Sequence, residues 1–261
     1  MTPILVVGAG RMGGALIAGW MRAKAFAPTD ILVHDPAPGP AALAAGVALH
    51  PTSADLAGVR TVVLAVKPQI WREAAAEIAP RLASDAVVVS IAAGVASADV
   101  AATFGGRRTA RVMPTTAAAI GQGTASIYAA DAEARACAHA LFEPLGTVVD
   151  LADEDLMHAA TAVSGSAPAY LYAFVEALEA AGAALGLAPD AARNLARATV
   201  AGAAALMADS GSDLAELRRQ VTSPGGTTEA ALKVLTGPGG LDPLLKAAAK
   251  AAEKRSRELG A

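Results

Sequence analysis

This chain has 261 residues and a formal net charge of −3, so its charge does not favour a nucleic-acid or anionic-membrane partner. Its hydrophobic content is 54%, to which alanine is the main contributor. The longest uncharged apolar stretch, residues 159–175, is interrupted by a Ser-Gly-Ser tripeptide and by Pro168, so we expect no transmembrane helix. The single cysteine, Cys137, excludes an intrachain disulfide framework. Because no signal-peptide pattern opens the chain either, we expect a cytoplasmic protein.

The first 150 residues or so alternate β-rich runs with helical patterns. Strands are predicted at residues 4–7, 31–34, 61–66, 86–91, 110–113, 124–128 and 147–151. Helices are predicted between them at residues 11–22, 40–45, 69–82, 98–103 and 132–142. Such alternation is typical of βαβ units. We therefore predict an α/β Rossmann-like domain with a mostly parallel sheet over residues 1–154.

After residue 154 the pattern becomes helical. Tyr170, Phe174 and Leu178 recur four positions apart, as on one face of a helix. Asp242 and Pro243 have the composition of an N-cap and a first helical residue for the last helix. These features predict an all-helical domain over residues 155–261. Its many small residues would allow helices to approach closely, either within one chain or between two subunits, and the sequence does not separate these alternatives.

The segment Gly8-Ala9-Gly10-Arg11-Met12-Gly13 follows the first strand and opens the first helix. In a dinucleotide-binding loop, Gly8 allows the tight turn and Gly10 lets a pyrophosphate approach the backbone. Gly13 lets helix and strand pack closely, while Arg11 and Met12 begin the helix. We predict that this loop binds a dinucleotide; the alternative is an ordinary glycine-rich turn.

Asp35 ends the second predicted strand. A carboxylate there would accept hydrogen bonds from the adenine ribose hydroxyls and repel a 2′-phosphate, which favours NADH. Arg11 could instead reach a phosphate, which favours NADPH, and Asp35 with Pro36 could also form a simple turn. The sequence therefore leaves NADPH and NADH as alternative cofactors.

Three more segments follow predicted strands, where ligands of open α/β sheets bind. They contain Val66, Lys67 and Pro68, then Ala92, Ala93 and Gly94, and finally Met113 and Pro114. We predict that these residues bind the cofactor and line a crevice for its nicotinamide. Each of them could alternatively be a turn residue.

In the helical half, the segment Ser223-Pro224-Gly225-Gly226-Thr227-Thr228 interrupts a helical pattern that resumes at Glu229. Glycines and threonines at a helix entrance leave backbone N–H groups accessible, and such an entrance binds a carboxylate or a phosphate. The alternative is a loop between two helices.

Other catalytic classes have little support in the sequence. The chain contains no C-x-x-C, no H-E-x-x-H and no histidine pair at ligand spacing, so we expect no metal site. It also lacks the G-x-S-x-G pattern of a nucleophile elbow.

Taken in order along the chain, these motifs resemble the pyrroline-5-carboxylate reductase family. Residues 8–13, 66–69, 90–94, 111–116, 162–170 and 221–228 carry the resemblance. It implies a Rossmann-like domain followed by an all-helical domain that forms a homodimer and often a larger ring of dimers. It also implies hydride transfer from NADPH or NADH to the C=N bond of 1-pyrroline-5-carboxylate, which gives L-proline, the last step of proline biosynthesis.

The resemblance also implies roles for the helix-entrance segment. The substrate would lie between the cofactor and residues 223–228. Its carboxylate would bind the N–H groups of Gly226, Thr227 and Thr228. Thr228 would be the catalytic residue, with its hydroxyl on the ring nitrogen, and Ser223 and Gly225 would complete the substrate site.

Some positions depart from the family pattern. Thr115 and Ala117 stand where Asn and Pro are usual, Ala167 replaces a glycine, and His158 stands where an acidic residue is common. These departures concern the cofactor and turnover rather than the fold.

Two other functions are compatible with the same architecture. A related imine or β-hydroxyacid reductase is one, although the latter class generally needs a lysine in the helical domain and residues 156–207 contain none. A non-catalytic nucleotide-sensing module is the other, but such a sensor has no need of an anion-binding helix entrance.

Overall fold

A computed structural model describes residues 1–260 of the chain. The strands of the described part are β1 (Ile4–Val7), β2 (Ile31–His34), β3 (Ala48–Leu49), β4 (Thr61–Leu64), β5 (Val87–Ser90), β6 (Thr109–Pro114), β7 (Gly123–Tyr128) and β8 (Gly146–Asp150). They form one sheet in the order β3-β2-β1-β4-β5-β6-β7-β8. The β6–β7 pair is antiparallel and the other pairs are parallel. The predicted mostly parallel sheet is confirmed.

The α-helices of the described part are α1 (Arg11–Ala23), α2 (Pro40–Ala44), α3 (Ser53–Ala57), α4 (Trp71–Ile78), α5 (Ser97–Thr103), α6 (Ala132–Phe142), α7 (Leu156–Ala160), α8 (Ala167–Ala184), α9 (Pro189–Ser210), α10 (Leu214–Gln220), α11 (Thr227–Leu235) and α12 (Leu241–Glu258). A π-helical turn, Thr161–Gly165, lies between α7 and α8. The helix α12 begins at Leu241, so the prediction of Asp242 as its N-cap is wrong. The Asp242 carboxylate instead accepts a hydrogen bond of 2.8 Å from Lys246.

Two apolar clusters lie on opposite faces of the sheet, because neighbouring strand residues point to opposite sides. Ile4 and Val6 of β1 belong to one cluster, with α1 and α6; Leu5 and Val7 belong to the other, with α4 and α5. Both faces are therefore covered by helices, as in doubly wound folds. This arrangement brings the carboxyl ends of the parallel strands to one edge of the sheet.

The chain divides into two compact units. Unit 1 comprises Met1–Gly165 together with the C-terminal residues from Ala251, and unit 2 comprises Ser166–Lys250. The predicted domains, 1–154 and 155–261, follow the change from strands to helices, which does occur between β8 and α7. The units follow packing instead, so the last turns of α12 belong with the sheet. The domain bounds themselves stay a prediction.

Unit 2 consists of helices. Gly182 of α8 lies close to Ala192 of α9, since a β-carbon on Gly182 would be 3.1 Å from that of Ala192. An ion pair of 2.7 Å joins Glu179 to Arg197 across the same two helices. In residues 1–260, no helix is both long enough and apolar enough to cross a membrane.

Candidate active site

The glycine-rich loop has the geometry that its sequence predicts. Gly8 has φ +91°, and a β-carbon there would lie 2.9 Å from the Ala65 carbonyl oxygen. A β-carbon on Gly13 would overlap the Gly8 carbonyl oxygen, whereas one on Gly10 would meet no atom of the described residues within 4 Å. Gly8 and Gly13 are thus needed for the turn and for helix–strand packing. Gly10 leaves open space at the loop, which fits the close approach of a pyrophosphate.

The start of α1 can bind an anion. Gly10 is its N-cap and has no side chain to accept a hydrogen bond from the first turn. Within residues 1–260, the N–H groups of Arg11, Met12 and Gly13 have no acceptor, and the first N–H in the helical pattern is that of Gly14, bonded to the Gly10 carbonyl. Unpaired N–H groups and the helix dipole favour a phosphate at this position. The residues present therefore fit a dinucleotide.

Asp35 lies directly after β2, as predicted, and contacts the glycine-rich loop. Its Oδ2 accepts the Ala9 N–H at 2.6 Å and its Oδ1 accepts the Ala37 N–H at 2.7 Å. The Ala9 carbonyl in turn accepts the Gly39 N–H at 3.0 Å. Each carboxylate oxygen retains a second acceptor site for a ribose hydroxyl. The hydrogen bond to Ala9 was not predicted, because sequence alone does not show which N–H groups lie near β2.

Arg11 lines an open groove of about 530 Å³ beside α1, which Gly14, Gly39 and Thr116 also line. Among residues 1–260 its guanidinium has no ion-pair partner. The guanidinium is therefore accessible to a phosphate group, as is required if Arg11 binds the 2′-phosphate of NADPH.

The three predicted strand-end segments lie at the same edge of the sheet. Val66, Lys67 and Pro68 follow β4, and Ala92, Ala93 and Gly94 follow β5, while Met113 and Pro114 are the last two residues of β6. The first segment touches the glycine-rich loop, since a β-carbon on Gly8 would be 2.8 Å from Val66 Cγ1. Lys67 is exposed. The structure thus brings the predicted cofactor residues of unit 1 together at one edge.

Thr115, which departs from the family pattern, has a structural role. It is 8% exposed, and its hydroxyl accepts the Thr124 N–H at 3.0 Å. Its own N–H donates to the Thr124 carbonyl, also at 3.0 Å. The side chain therefore continues the β6–β7 pairing at the end of the strand.

An ion pair between a buried arginine and a half-buried glutamate, missed in the sequence, lies near this edge. Arg111 of β6 is 4% exposed and donates from Nη1 to Glu154 Oε1 at 2.7 Å. Glu154 also accepts the Ser97 N–H at 2.6 Å and the Ser97 hydroxyl at 2.7 Å, so it caps the start of α5. Burial alone would raise the pKa of the Glu154 carboxyl, but the bonds from Arg111 and Ser97 hold that pKa below its usual value. The carboxylate is therefore charged at neutral pH.

The π-helical turn packs on the end of β6. A β-carbon on Gly165 would be 3.2 Å from Met113 Sδ, so the turn and the strand end are in close contact. The hydroxyl groups of Thr161 and Ser164 donate to the carbonyls of Met157 and Ala160 at 2.7 and 2.8 Å. Turns of this type occur frequently at functional sites.

In unit 2, the helix-entrance segment has the predicted form. Gly225 has φ +71°, Gly226 is the N-cap of α11, and Thr227 and Thr228 are its first residues. Ser223 is exposed. Within residues 1–260, the N–H groups of Thr227 and Thr228 have no acceptor. This entrance can therefore hold a carboxylate.

One detail of the expected anion site differs. The Gly226 N–H donates to the Ser223 carbonyl at 3.0 Å, so this donor is already engaged. The Gly225 N–H donates to the Glu229 carboxylate at 2.6 Å, and Glu229 lies 3.3 Å from Lys233. Glu229 was missed, although its place in the first turn of the helix is that of a capping-box acid. In residues 1–260 no cluster of three or more His, Cys, Asp or Glu residues could hold a metal ion.

Comparison with known proteins gives matches along the whole chain. Residues 154–259 match the family model for pyrroline-5-carboxylate reductase dimerisation, and residues 3–94 match that for coenzyme F420-dependent NADP oxidoreductases. Pyrroline-5-carboxylate reductase from Pseudomonas aeruginosa is 39% identical over 98% of this chain and 96% of its own length. The reductase from Pisum sativum is 36% identical over 97% of this chain and 94% of its own.

Solved structures also match the chain over its length. The pyrroline-5-carboxylate reductase of Coxiella burnetii superimposes with a TM-score of 0.89 at 31% identity, covering 100% of this chain and 99% of that one. A Plasmodium falciparum pyrroline carboxylate reductase with NADP bound gives a TM-score of 0.86 at 25% identity, covering 100% and 98% of the two chains.

Proposed function

Because the chain belongs to the pyrroline-5-carboxylate reductase family, we propose that it reduces the C=N bond of 1-pyrroline-5-carboxylate with NADPH or NADH, giving L-proline. The observation that carries this proposal is the presence of two separate anion-binding helix starts in one chain, at α1 and at α11. A cofactor pyrophosphate and a substrate carboxylate each require one of them.

The residues of unit 1 bind and orient the cofactor. The N–H groups of Arg11, Met12 and Gly13 receive the pyrophosphate, and the space above Gly10 admits it. When bound, the dihydronicotinamide supplies the hydride. The turn at residues 92–94 and the strand end at Met113 and Pro114 line the crevice and exclude water from it.

The residues of α11 bind the substrate. Its carboxylate accepts hydrogen bonds from the N–H groups of Thr227 and Thr228, and the Thr228 hydroxyl accepts the N–H of the ring nitrogen, which has taken its proton from solvent before the hydride reaches the neighbouring carbon. Lys233 offsets the charge of Glu229, which would otherwise repel the substrate carboxylate. An imine nitrogen takes up a proton far more readily than a carbonyl oxygen, so no strong side-chain acid is required. Orientation of the imine supplies most of the rate, since positioning contributes about 7–11 kcal/mol in well-aligned systems.

Unit 2 carries the assembly of the protein. The dimerisation family match covers residues 154–259, so the chain forms a homo-oligomer through this segment. We propose that the basic assembly is a homodimer and that dimers join in a larger ring. The cytoplasmic location expected from the sequence stays a prediction.

The test follows the nicotinamide absorbance with purified protein, 1-pyrroline-5-carboxylate, and NADH or NADPH in parallel. Oxidation with either cofactor supports the reductase. Thr228→Ala should lower kcat by about 100-fold, as expected when a hydrogen bond to the reacting group is lost, and should leave cofactor affinity unchanged.

Thr236→Ala is the matched control, because Thr236 follows the last residue of the same helix and, among residues 1–260, its hydroxyl bonds the Leu232 carbonyl alone. Full turnover in Thr228→Ala would refute its catalytic role. A loss of cofactor binding in that variant would contradict the assignment of cofactor binding to unit 1 and of substrate binding to α11. No oxidation with either cofactor would refute the function itself.

A further inference from the structure

The last turns of α12 belong to unit 1 and contact the cofactor edge of the sheet. Gly94, which ends the segment after β5, has φ +81° and is buried. A β-carbon on Gly94 would lie 2.8 Å from the Ser256 carbonyl oxygen and 2.9 Å from the Gly260 nitrogen. A β-carbon on Gly260 would overlap the Gly94 carbonyl oxygen. The two backbones therefore touch, and neither position has room for a side chain.

Two polar contacts hold this end of α12 in place, one to Asp155, which directly precedes α7, and one to His158 within α7. Arg257 holds both carboxylate oxygens of Asp155, with Nη2 donating to Oδ2 at 2.8 Å. The Ser256 hydroxyl lies 2.9 Å from His158 Nδ1. A bidentate arginine–carboxylate pair fixes direction as well as distance. The helix end is thus held in one place on unit 1, independently of its contact with Gly94.

The turn that α12 covers is weakly held by its own hydrogen bonds. The Ala92 N–H reaches the Ser90 hydroxyl at 3.4 Å, and the Val95 N–H reaches the Ala92 carbonyl at 3.4 Å. Both distances are longer than those of ordinary hydrogen bonds. A glycine with positive φ adds conformational freedom to the same turn. The shape of residues 92–94 therefore depends on what packs against it.

We propose that residues 256–260 at the end of α12 are positioning residues of the cofactor site, which hold the turn at residues 92–94 in the shape that receives the nicotinamide. The inference rests on the proposed function, because only that function assigns the turn to the cofactor. It gives the C-terminal residues a role apart from dimerisation, although they lie within or next to the segment that matches the dimerisation family.

The experiment measures cofactor affinity by titrating NADPH and NADH and following their fluorescence, with no substrate present. Gly260→Val inserts a side chain where the Gly94 carbonyl lies, and a chain ending at Arg255 removes residues 256–260, and with them the contact, without adding bulk. Both should weaken cofactor binding about tenfold. In the reductase assay the KM for the cofactor should rise, while kcat at saturating cofactor and the KM for the substrate should stay near the wild-type values.

Lys254→Ala is the matched control, because Lys254 is an exposed residue of the same helix. Its ion pair with Glu258 is long, at 4.0 Å, and exposed, so its loss should have little effect. This variant should bind the cofactor as the wild type does. Unchanged affinity in the chain ending at Arg255 would overturn the inference, whatever Gly260→Val does. A rise in the KM for the substrate alone would also overturn it. Because the titration contains no substrate, a weaker cofactor affinity supports the inference even if the chain reduces a different imine.

Discussion

Units 1 and 2 differ in how they bury apolar side chains. In unit 1, strands and helices enclose two clusters that include fully buried Trp20, Phe104 and Phe142. In unit 2, α8, α10 and α11 contribute no buried residue, and α9 contributes Ala192 and Ala196. A unit that leaves its large apolar side chains exposed is not complete within one chain. The sheet unit thus closes its own core, whereas the helical unit needs a second copy.

The helices α8 and α9 expose several large apolar side chains of unit 2. Leu171 is 47% exposed and Phe174 is 41% exposed. A groove of about 590 Å³ runs between the two helices, lined by Leu171, Val175, Val200 and Ala204, among other residues. Since residues 154–259 match a dimerisation family, this surface is where we expect the second copy to pack.

The largest predicted effect comes from charging that surface. Leu171→Glu combined with Phe174→Glu places carboxylates in an apolar interface, where an unpaired charge costs several kcal/mol. We expect self-association to weaken by at least about 100-fold. Light scattering after size exclusion should then give the mass of a single chain, and the reductase activity should fall with it.

Lys250→Glu is the control for the inserted charge, because it changes an exposed residue of α12. It should keep the wild-type mass. If the doubly substituted chain also kept that mass, the surface of α8 would not be the interface. The contrast between a closed unit and an open one would then need another explanation.

A second prediction concerns the ion pair between Arg111 and Glu154, which lies near the edge of the sheet where the cofactor is expected to bind. Arg111→Met leaves the Glu154 carboxylate without its partner, and breaking such a pair costs about 3 kcal/mol. Trp20 and Trp71 are the two tryptophans of the chain and both are buried in unit 1. Urea unfolding followed by their fluorescence therefore reports the stability of unit 1 alone.

Arg60→Met is the matched control, since Arg60 pairs with Asp85 at 2.6 Å but 53% of its side chain is exposed. Exposed pairs contribute less than about 1 kcal/mol. Arg111→Met together with Glu154→Met should recover part of the lost stability, because no buried charge is left unpaired. Equal losses from Arg111→Met and Arg60→Met would show that burial of the pair adds nothing.

Much of the fold was predictable because it depends on local patterns. The seven predicted strands exist, with ends that differ by at most two residues, since buried parallel strands read as short apolar runs. The strand β3 and the helix α3 were missed, because a two-residue strand and a five-residue helix are too short to show a period. Asp242 was misplaced because an acidic residue suits both an N-cap and a first turn.

The site was predictable only where a motif carries its own geometry. The glycines at positions 8, 10 and 13 do so, because each has a known role: the tight turn, the approach of the pyrophosphate, and helix–strand packing. The contacts of Arg111 with Glu154 and of Gly94 with Gly260 join residues far apart in sequence, and no local pattern indicates them. The bond from Gly226 to the Ser223 carbonyl was missed for another reason, since it depends on the exact shape of one turn.

The smallest predicted effect is a pH dependence of unit 1 that comes from His158. Burial lowers the pKa of the His158 imidazole, and the charges of Arg111 and Arg257 lower it further, against the opposing effect of Asp155 and Glu253. The imidazole of an unfolded histidine has a pKa of about 6.5. Below that pH the unfolded chain binds a proton that the folded His158 resists, so the stability of unit 1 should fall as the pH decreases through this range.

His139→Gln provides a control of opposite sign. A hydrogen bond to Glu143 raises the pKa of His139, with Asp150 acting in the same direction. Its contribution to stability is therefore complete below about pH 6.5 and is lost as the pH rises through the folded pKa. Relative to the wild type, His158→Gln should flatten the loss of stability at low pH, whereas His139→Gln should remove stability there. Parallel changes in both variants, measured by tryptophan fluorescence from pH 5 to 8, would contradict the assignment of His158, because groups shifted in opposite directions cannot give the same slope.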